Sequence, residues 1–183
     1  MRKPKKDVQP MSLRPCHKAA MMLLQSEVLA SLPNQRWYFP SEAWEFDAWL
    51  ENGDAFGFFD GDTLCGYGVM TPAEDRPGHA YAGVLGLETA HTFDFHDMLV
   101  HPAYRGQGMH TKLLELFEKM ARTVGGNAIY ATVDPENEAS WHNFEKAGYT
   151  CLCTVAAYDG RPRRYYQLDL QKKAESVTEA AHD

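Results

Sequence analysis

From Phe93 to Val100 the chain reads FDFHDMLV, a strand-like run. Within a few residues it passes Gly106 and Gly108 and enters GMHTKLLELFEKMA, whose apolar residues recur at helical spacing. A strand feeding a helix across side-chain-free backbone commits the chain to an α/β plan built around a sheet. It also constrains what the turn can hold. The first N–H groups of a helix have no partner inside it, and the helix dipole adds partial positive charge there, so such an end attracts a phosphate. Removing side chains at Gly106 and Gly108 lets the anion approach; Arg105 adds a fork-shaped cation and Thr111 a first-turn hydroxyl.

Two familiar phosphate loops do not fit. For the nucleotide P-loop, Lys112 falls in place counting from Gly106, but Thr111 replaces the second glycine and Leu113 the metal-binding hydroxyl. For the dinucleotide fingerprint, Thr111 stands where a glycine is needed, and His101–Tyr104 intervenes after the strand. A plain helix cap is the bland alternative for a lone R-G-x-G.

The 183 residues, 44% hydrophobic, suffice for one well-packed domain. We expect it over residues 11–170, between a disordered basic tail (1–10) and a polar C-terminal tail (171–183). A net charge of −7 argues against nucleic acid as partner, and MRKPKK is too short to reverse that. No apolar run is long enough to cross a bilayer or to serve as a signal peptide, so a soluble, cytoplasmic protein is expected, with no membrane partner. Cys16, Cys65, Cys151 and Cys153 form no C-x-x-C pair, and the eight histidines make no H-x-x-x-H, so reduced, buried thiols and no metal are expected.

Along the chain, a short strand is expected near 12–14. A helix should follow over about 17–31, with Ala20, Leu23, Leu24 and Val28 as its apolar stripe. A second helix should start at Ser41 as N-cap, with Glu42 and Glu45 in its first turn, and stop at Gly53. A hairpin about Asp60-Gly61-Asp62 comes next. The segment 73–92, long and glycine-rich, suits a lid or part of a site. Strand 93–100, a helix ended by Gly125-Gly126, a buried strand AIYATV, the short helix of NEASWHNFEKAGY and a hairpin about Asp159-Gly160 complete a mixed-sheet α/β plan.

The segment MLVHPAYRGQGMHTKLLELFE, followed by NEASWHNFEKAGY, resembles the GNAT superfamily of acyl-coenzyme A dependent N-acetyltransferases. There a strand L-x-V-x-P leads into R-x-x-G-x-G/A, and N-x-x-[AS]-x-x-[LF]-[YF]-E-K-x-G-[FY] marks the last helix. The resemblance is close over residues 93–149 and implies the family fold: a mostly antiparallel sheet with one parallel pair splayed for coenzyme A, flanked by about four helices. It implies that N–H groups from Arg105 through Gly106, Gln107, Gly108, Met109 and His110 to Thr111 hold the coenzyme pyrophosphate. The backbone of Leu99 and Val100 would pair with the pantetheine arm, Asn137 would bond the coenzyme near its middle, and Lys146 would serve its phosphates. His110 stands where the family has glycine or alanine, and Asn143 where it has leucine or phenylalanine. Asn is also a favoured helix cap, the plain alternative for Asn137. Phe144 occupies the coenzyme-facing position where many members carry the tyrosine that protonates the departing thiolate.

Acyl transfer from acetyl-coenzyme A, a co-substrate, to an amine requires the amine unprotonated. An alkyl ammonium of pKa ~10 therefore needs a base at neutral pH. Strand alternation puts Asp94, His96 and Met98 on one face and Phe95, Asp97 and Leu99 on the other. His96, with an ordinary pKa of ~6.5, is the candidate base and Asp94 its orienting partner. This placement resembles strand-borne histidines of arylalkylamine acetyltransferases. Asp97 is read only as a loop cap or one of several surface acids. The N–H of Leu99 or Val100 would meet the oxyanion. The reading is thus an N-acetyltransferase working on a primary amine of a small molecule or peptide by direct ternary-complex transfer. The rival, motivated by Phe144 and His110, is an acyl-coenzyme A binding sensor without catalysis. Exposed strand edges near the C-terminus permit a homodimer.

Overall fold

The computed structural model describes residues 9–75, 79–158 and 160–172. Most of both expected tails, and Asp159 of the expected last turn, lie outside the described residues. Seven strands, β1 (Met11–Ser12), β2 (Ala55–Asp60), β3 (Thr63–Pro72), β4 (Thr92–Val100), β5 (Ala128–Val133), β6 (Thr150–Ala157) and β7 (Arg161–Asp169), form one sheet in the order β1-β2-β3-β4-β5-β7-β6. β4 and β5 pair in parallel; β1–β2, β2–β3, β5–β7 and β6–β7 are antiparallel. This is the mixed sheet with one parallel pair that the sequence leads one to expect. The parallel ladder takes in Thr92–Phe95 of β4, although that strand continues to Val100. Within the span expected as one domain, the residues gather in two compact units: the chain up to Val69 with Asp97–Leu113, and Met70–His96 with the chain from Leu114.

In the first unit, α1 (Lys18–Ser31) buries Met21, Leu24 and Val28, at i, i+3 and i+7. Leu23, expected in that stripe, is 60% exposed. MMLL offers two neighbouring apolar phases, and the face about 100° round from Leu23 is the one that packs. α2 (Ala43–Asn52) buries Phe46, Trp49 and Leu50 and ends at Gly53, whose φ of 81° is left-handed. Its N-cap is Glu42 rather than Ser41: the Glu42 N–H donates to Glu45 Oε2 at 2.9 Å, half of a capping box. Leu13, Phe46, Tyr67, Val69 and Leu99 join these residues in one apolar cluster. Each large side chain so buried contributes about 1.5–3 kcal/mol.

In the second unit the helices are α3 (Tyr81–Val84, one turn), the body of α4 (Met109–Thr123) and α5 (Glu138–Lys146). The two glycines after α4 have separate reasons. Gly125 takes φ 73° to end the helix, whereas a Cβ at Gly126 would fall 2.8 Å from Phe93 Cε2 and 2.9 Å from the Ala121 carbonyl oxygen. Phe95 packs edge-on to Phe117 and Phe144, with ring centroids 5.1 and 5.8 Å apart. A second cluster gathers Tyr81, Ala82, Ala128, Tyr130 and Tyr165. Between Cys151 and Cys153 the β6–β7 register slips by one residue, a bulge at Leu152. Of the thiols, only Cys65 is buried; Cys16 and Cys151 are exposed and Cys153 half-buried, against the expectation that all four are inside. β6 is short of cover because it is the last strand of the sheet.

Candidate functional site

In the first unit, β4 runs out through Leu99 and Val100, and the His101 N–H then donates to the Cys65 carbonyl at 2.9 Å. A 3-10 turn, Pro102–Tyr104, is capped by His101, whose Nδ1 accepts the Ala103 N–H. Two side chains brace the approach to the glycine turn: the Tyr104 hydroxyl donates to Asp60 Oδ2 at 3.0 Å, and Arg105 Nη2 to Ser31 Oγ at 3.3 Å. Gly106 and Gly108 both sit in left-handed backbone, φ 75° and 80°. The first helical bond of α4 runs from the Lys112 N–H to the Gly108 carbonyl. The N–H groups of Met109, His110 and Thr111 therefore precede the intrahelical ladder.

A Cβ built on Gly108 would meet nothing within 4 Å. The turn is thus bare backbone beside open space at a helix N-terminus, a donor set suited to a pyrophosphate. Burial pushes the His110 imidazole down to about 4, so it is neutral at pH 7. A neutral ring brings no charge to a phosphate.

In the second unit, Asp94 and His96 lie two residues apart on β4. Asp94, 2% exposed, accepts the Tyr81 N–H at 3.0 Å through Oδ2. His96 Nε2 is 2.7 Å from Thr71 Oγ1, and its ring lies 5.7 Å from that of Tyr81. The two candidate catalytic residues are therefore linked through Tyr81, a residue that no motif or spacing in the sequence singles out.

Asn137 caps α5, its Oδ1 accepting the Ser140 N–H at 3.3 Å. That bond occupies the carbonyl end of the amide; the Nδ2 end remains a donor by chemistry. Phe144 is buried, its ring 5.1 Å from Tyr149 and 6.0 Å from Tyr166. Lys146 is exposed in the last turn of α5.

The residue whose environment sequence reasoning missed is Asp97, in the first unit. It is 4% exposed and accepts hydrogen bonds from the Ser41 hydroxyl (3.2 and 3.1 Å to its two oxygens) and the Tyr67 hydroxyl (3.1 Å). Burial pushes its carboxyl up to about 6 against the opposing effect of the Tyr38, Tyr67 and Ser41 hydroxyls, with Glu45 adding to the rise. The strand also carries Asp94 and His96, so the sequence held no local signal that set Asp97 apart. Among the described residues there is no group of three or more His, Cys, Asp or Glu that could hold a metal, and no helix long and apolar enough to cross a membrane.

Comparison with known proteins bears on the family and the fold. The model of the Acetyltransferase (GNAT) family matches residues 24–149. Over 156 residues the chain is 27% identical to L-amino acid N-acyltransferase MnaT of Escherichia coli (strain K12), covering 80% of this chain and 90% of that one. It is 26% identical over 107 residues to the L-methionine sulfoximine/L-methionine sulfone acetyltransferase of Salmonella typhimurium, covering 57% and 63%. Among solved structures, an N-acetyltransferase from Staphylococcus aureus Mu50 superposes with a TM-score of 0.69 at 19% identity, over 90% of this chain and 99% of that one. The yncA acetyltransferase from Salmonella typhimurium, solved with its cofactor acetyl-CoA, gives 0.66 at 20% identity, over 90% and 95%.

Proposed function

The chain belongs to the GNAT acetyltransferase family, and on that premise we propose that it moves an acetyl group from acetyl-coenzyme A directly to the primary amine of an amino acid or close derivative. The acceptor class is suggested by the two curated relatives, both named for amino-acid substrates. The observation that carries the coenzyme half is the turn of Gly106 and Gly108, both left-handed, with open space beside Gly108, at the entry to α4. Toward the coenzyme, the backbone N–H groups of residues 105–111 would hold the pyrophosphate, and the Leu99 and Val100 backbone the pantetheine arm. The thioester supplies the acetyl group and a good leaving group.

The chain's own residues supply the proton chemistry. His96 takes the proton of the acceptor ammonium, its ring held by Thr71. Whichever partner donates in the Thr71 bond, that bond fixes the tautomer; if Nε2–H donates to Oγ1, Nδ1 carries the lone pair that acts. Phe144, without a hydroxyl, gives no acid for the thiolate, whose protonation is left to water.

The test is free-thiol release from acetyl-coenzyme A over a panel of amino acids and simple amines. Turnover with amino acids supports the proposal. A thermal shift with acetyl-coenzyme A and no thiol release from any amine overturns it in favour of a coenzyme sensor.

A further inference from the structure

Tyr158 stands at the end of β6 in left-handed backbone, φ 55°, a conformation that costs a residue with a Cβ about 1–2 kcal/mol. Gly160, two positions on, takes φ 86° within the same turn without that cost. The side chain of Tyr158 is engaged: its hydroxyl lies 2.9 Å from Thr132 Oγ1 and 3.3 Å from the Tyr81 hydroxyl. The Arg163 guanidinium sits 5.7 Å from its ring centroid. Yet Tyr158 is 49% exposed, so this row of hydroxyls reaches solvent rather than closing a core. Its inner end is Tyr81, which also flanks the His96 ring and gives its N–H to Asp94. Each of these residues belongs to the second unit.

We infer that Tyr158, with Thr132 and Tyr81, forms the acceptor-recognition wall beside His96 and selects amines that carry a carboxylate. The inference rests on the proposed acetyltransferase function and deepens it. The chemistry is polarised along the row. At the His96 end stands the Asp94 carboxylate, which favours a cationic amine. At the other end stands the row of three hydroxyls, whose two internal hydrogen bonds use two of its three protons and leave one to donate outward to oxygen. Burial raises the Tyr81 phenol well above its ordinary value, so it stays a donor across the working pH range. Arg163 is itself ion-paired to Asp134 at 3.0 Å, so it is no direct clamp and the Asp134 carboxylate offsets its charge. An α-amino acid, ammonium at one end and carboxylate at the other, matches this polarity; an amine without the carboxylate matches only half of it. A site built to hydrogen-bond a substrate group rejects the analogue that lacks it, because the outward donor of the row is then left without its partner.

The experiment compares L-methionine sulfone with the amine formed by its decarboxylation, using wild type, Tyr158→Phe and Thr132→Val. Both substitutions keep size and remove a hydroxyl. For the amino acid, KM should rise about tenfold in Tyr158→Phe and less in Thr132→Val, with kcat within about twofold. For the decarboxylated amine, and for acetyl-coenzyme A, KM should be unchanged in both variants. An equal change for both acceptors, or none for either, overturns the role of Tyr158 while leaving the acetyltransferase function intact. Wild type that acetylates only the decarboxylated amine overturns carboxylate selection and the amino-acid acceptor together. No thiol release by wild type with either acceptor, nor with the wider amine panel, brings down the acetyltransferase function itself, and this inference with it.

Discussion

The Tyr67 hydroxyl donates to Oδ2 of Asp97 across 3.1 Å, inside a unit where that carboxylate is 4% exposed. The phenol itself is raised well above its ordinary value by burial and by the Asp97 charge, so it remains a donor. Asp97 and His110, both in the first unit, are buried titratable groups with opposite effects on stability.

The Asp97 carboxyl, ordinarily 3.8, is raised to about 6 in the fold. Between these values the folded state binds the proton more tightly than the unfolded one. Its contribution is therefore present below pH 4 and lost as pH rises to 6, about 3 kcal/mol over that interval. His110, ordinarily 6.5, is lowered to about 4, so its contribution is present above pH 6.5 and lost as pH falls toward 4, by a similar amount. The two slopes oppose each other over one window. Relative to wild type, urea unfolding from pH 4 to 7 should show Asp97→Asn gaining stability steadily as pH rises, and His110→Gln losing it. Parallel curves for the two variants would contradict the assignment.

Binding and folding separate at Gly108. A Cβ there meets nothing within 4 Å, so Gly108→Ala costs only the left-handed backbone term, about 1–2 kcal/mol. The methyl would occupy space the pyrophosphate is proposed to use. Calorimetric titration of Gly108→Ala with acetyl-coenzyme A should give a Kd raised at least about tenfold, since close backbone approach is what the position supplies. A folded variant with undiminished affinity places the coenzyme elsewhere.

His96→Ala should lower kcat/KM by about 10²–10⁴ and remove the ascending limb of its pH profile. Thr71→Val removes the 2.7 Å partner of Nε2 while keeping the shape of the side chain. It should move that limb along the pH axis rather than abolish it. An ascending limb that survives in His96→Ala would take the base role from this histidine.

The order of elements is legible in the sequence because apolar periodicity and turn residues are local. So is the glycine turn, since its chemistry is contained within residues 105–111. Asp97 is not: its partners Ser41 and Tyr67 lie 56 and 30 positions away, and nothing local distinguishes a buried acid from one that caps a loop. The same holds for Tyr81 and Tyr158, whose hydroxyls meet over 77 positions. At Leu23 and Ser41 the structure departs from expectation by a single position, because two adjacent residues are equally suited to one role and only tertiary packing chooses. At the helix start, Ser41 gives up the cap because its hydroxyl is engaged by Asp97, while Glu42 and Glu45 form the box instead.

Beneath the hydroxyl row lies an ion pair. Arg163 Nη1 and Asp134 Oδ2 are 3.0 Å apart, with side chains 3% and 9% exposed. Asp134 Oδ1 also accepts the Glu136 N–H at 2.9 Å, so the carboxylate ties the end of β5 to the approach of α5. A pair this deep is held by mutual compensation: removing one member leaves the other charged and desolvated, at about 3–5 kcal/mol. Asp134→Leu should therefore lower Tm sharply. Replacing both, with Arg163→Met in addition, removes the stranded charge and should recover most of that loss. The double-mutant cycle, measured by chemical unfolding, checks this. Strictly additive losses would mean that the two side chains are stabilised by other neighbours and not by each other.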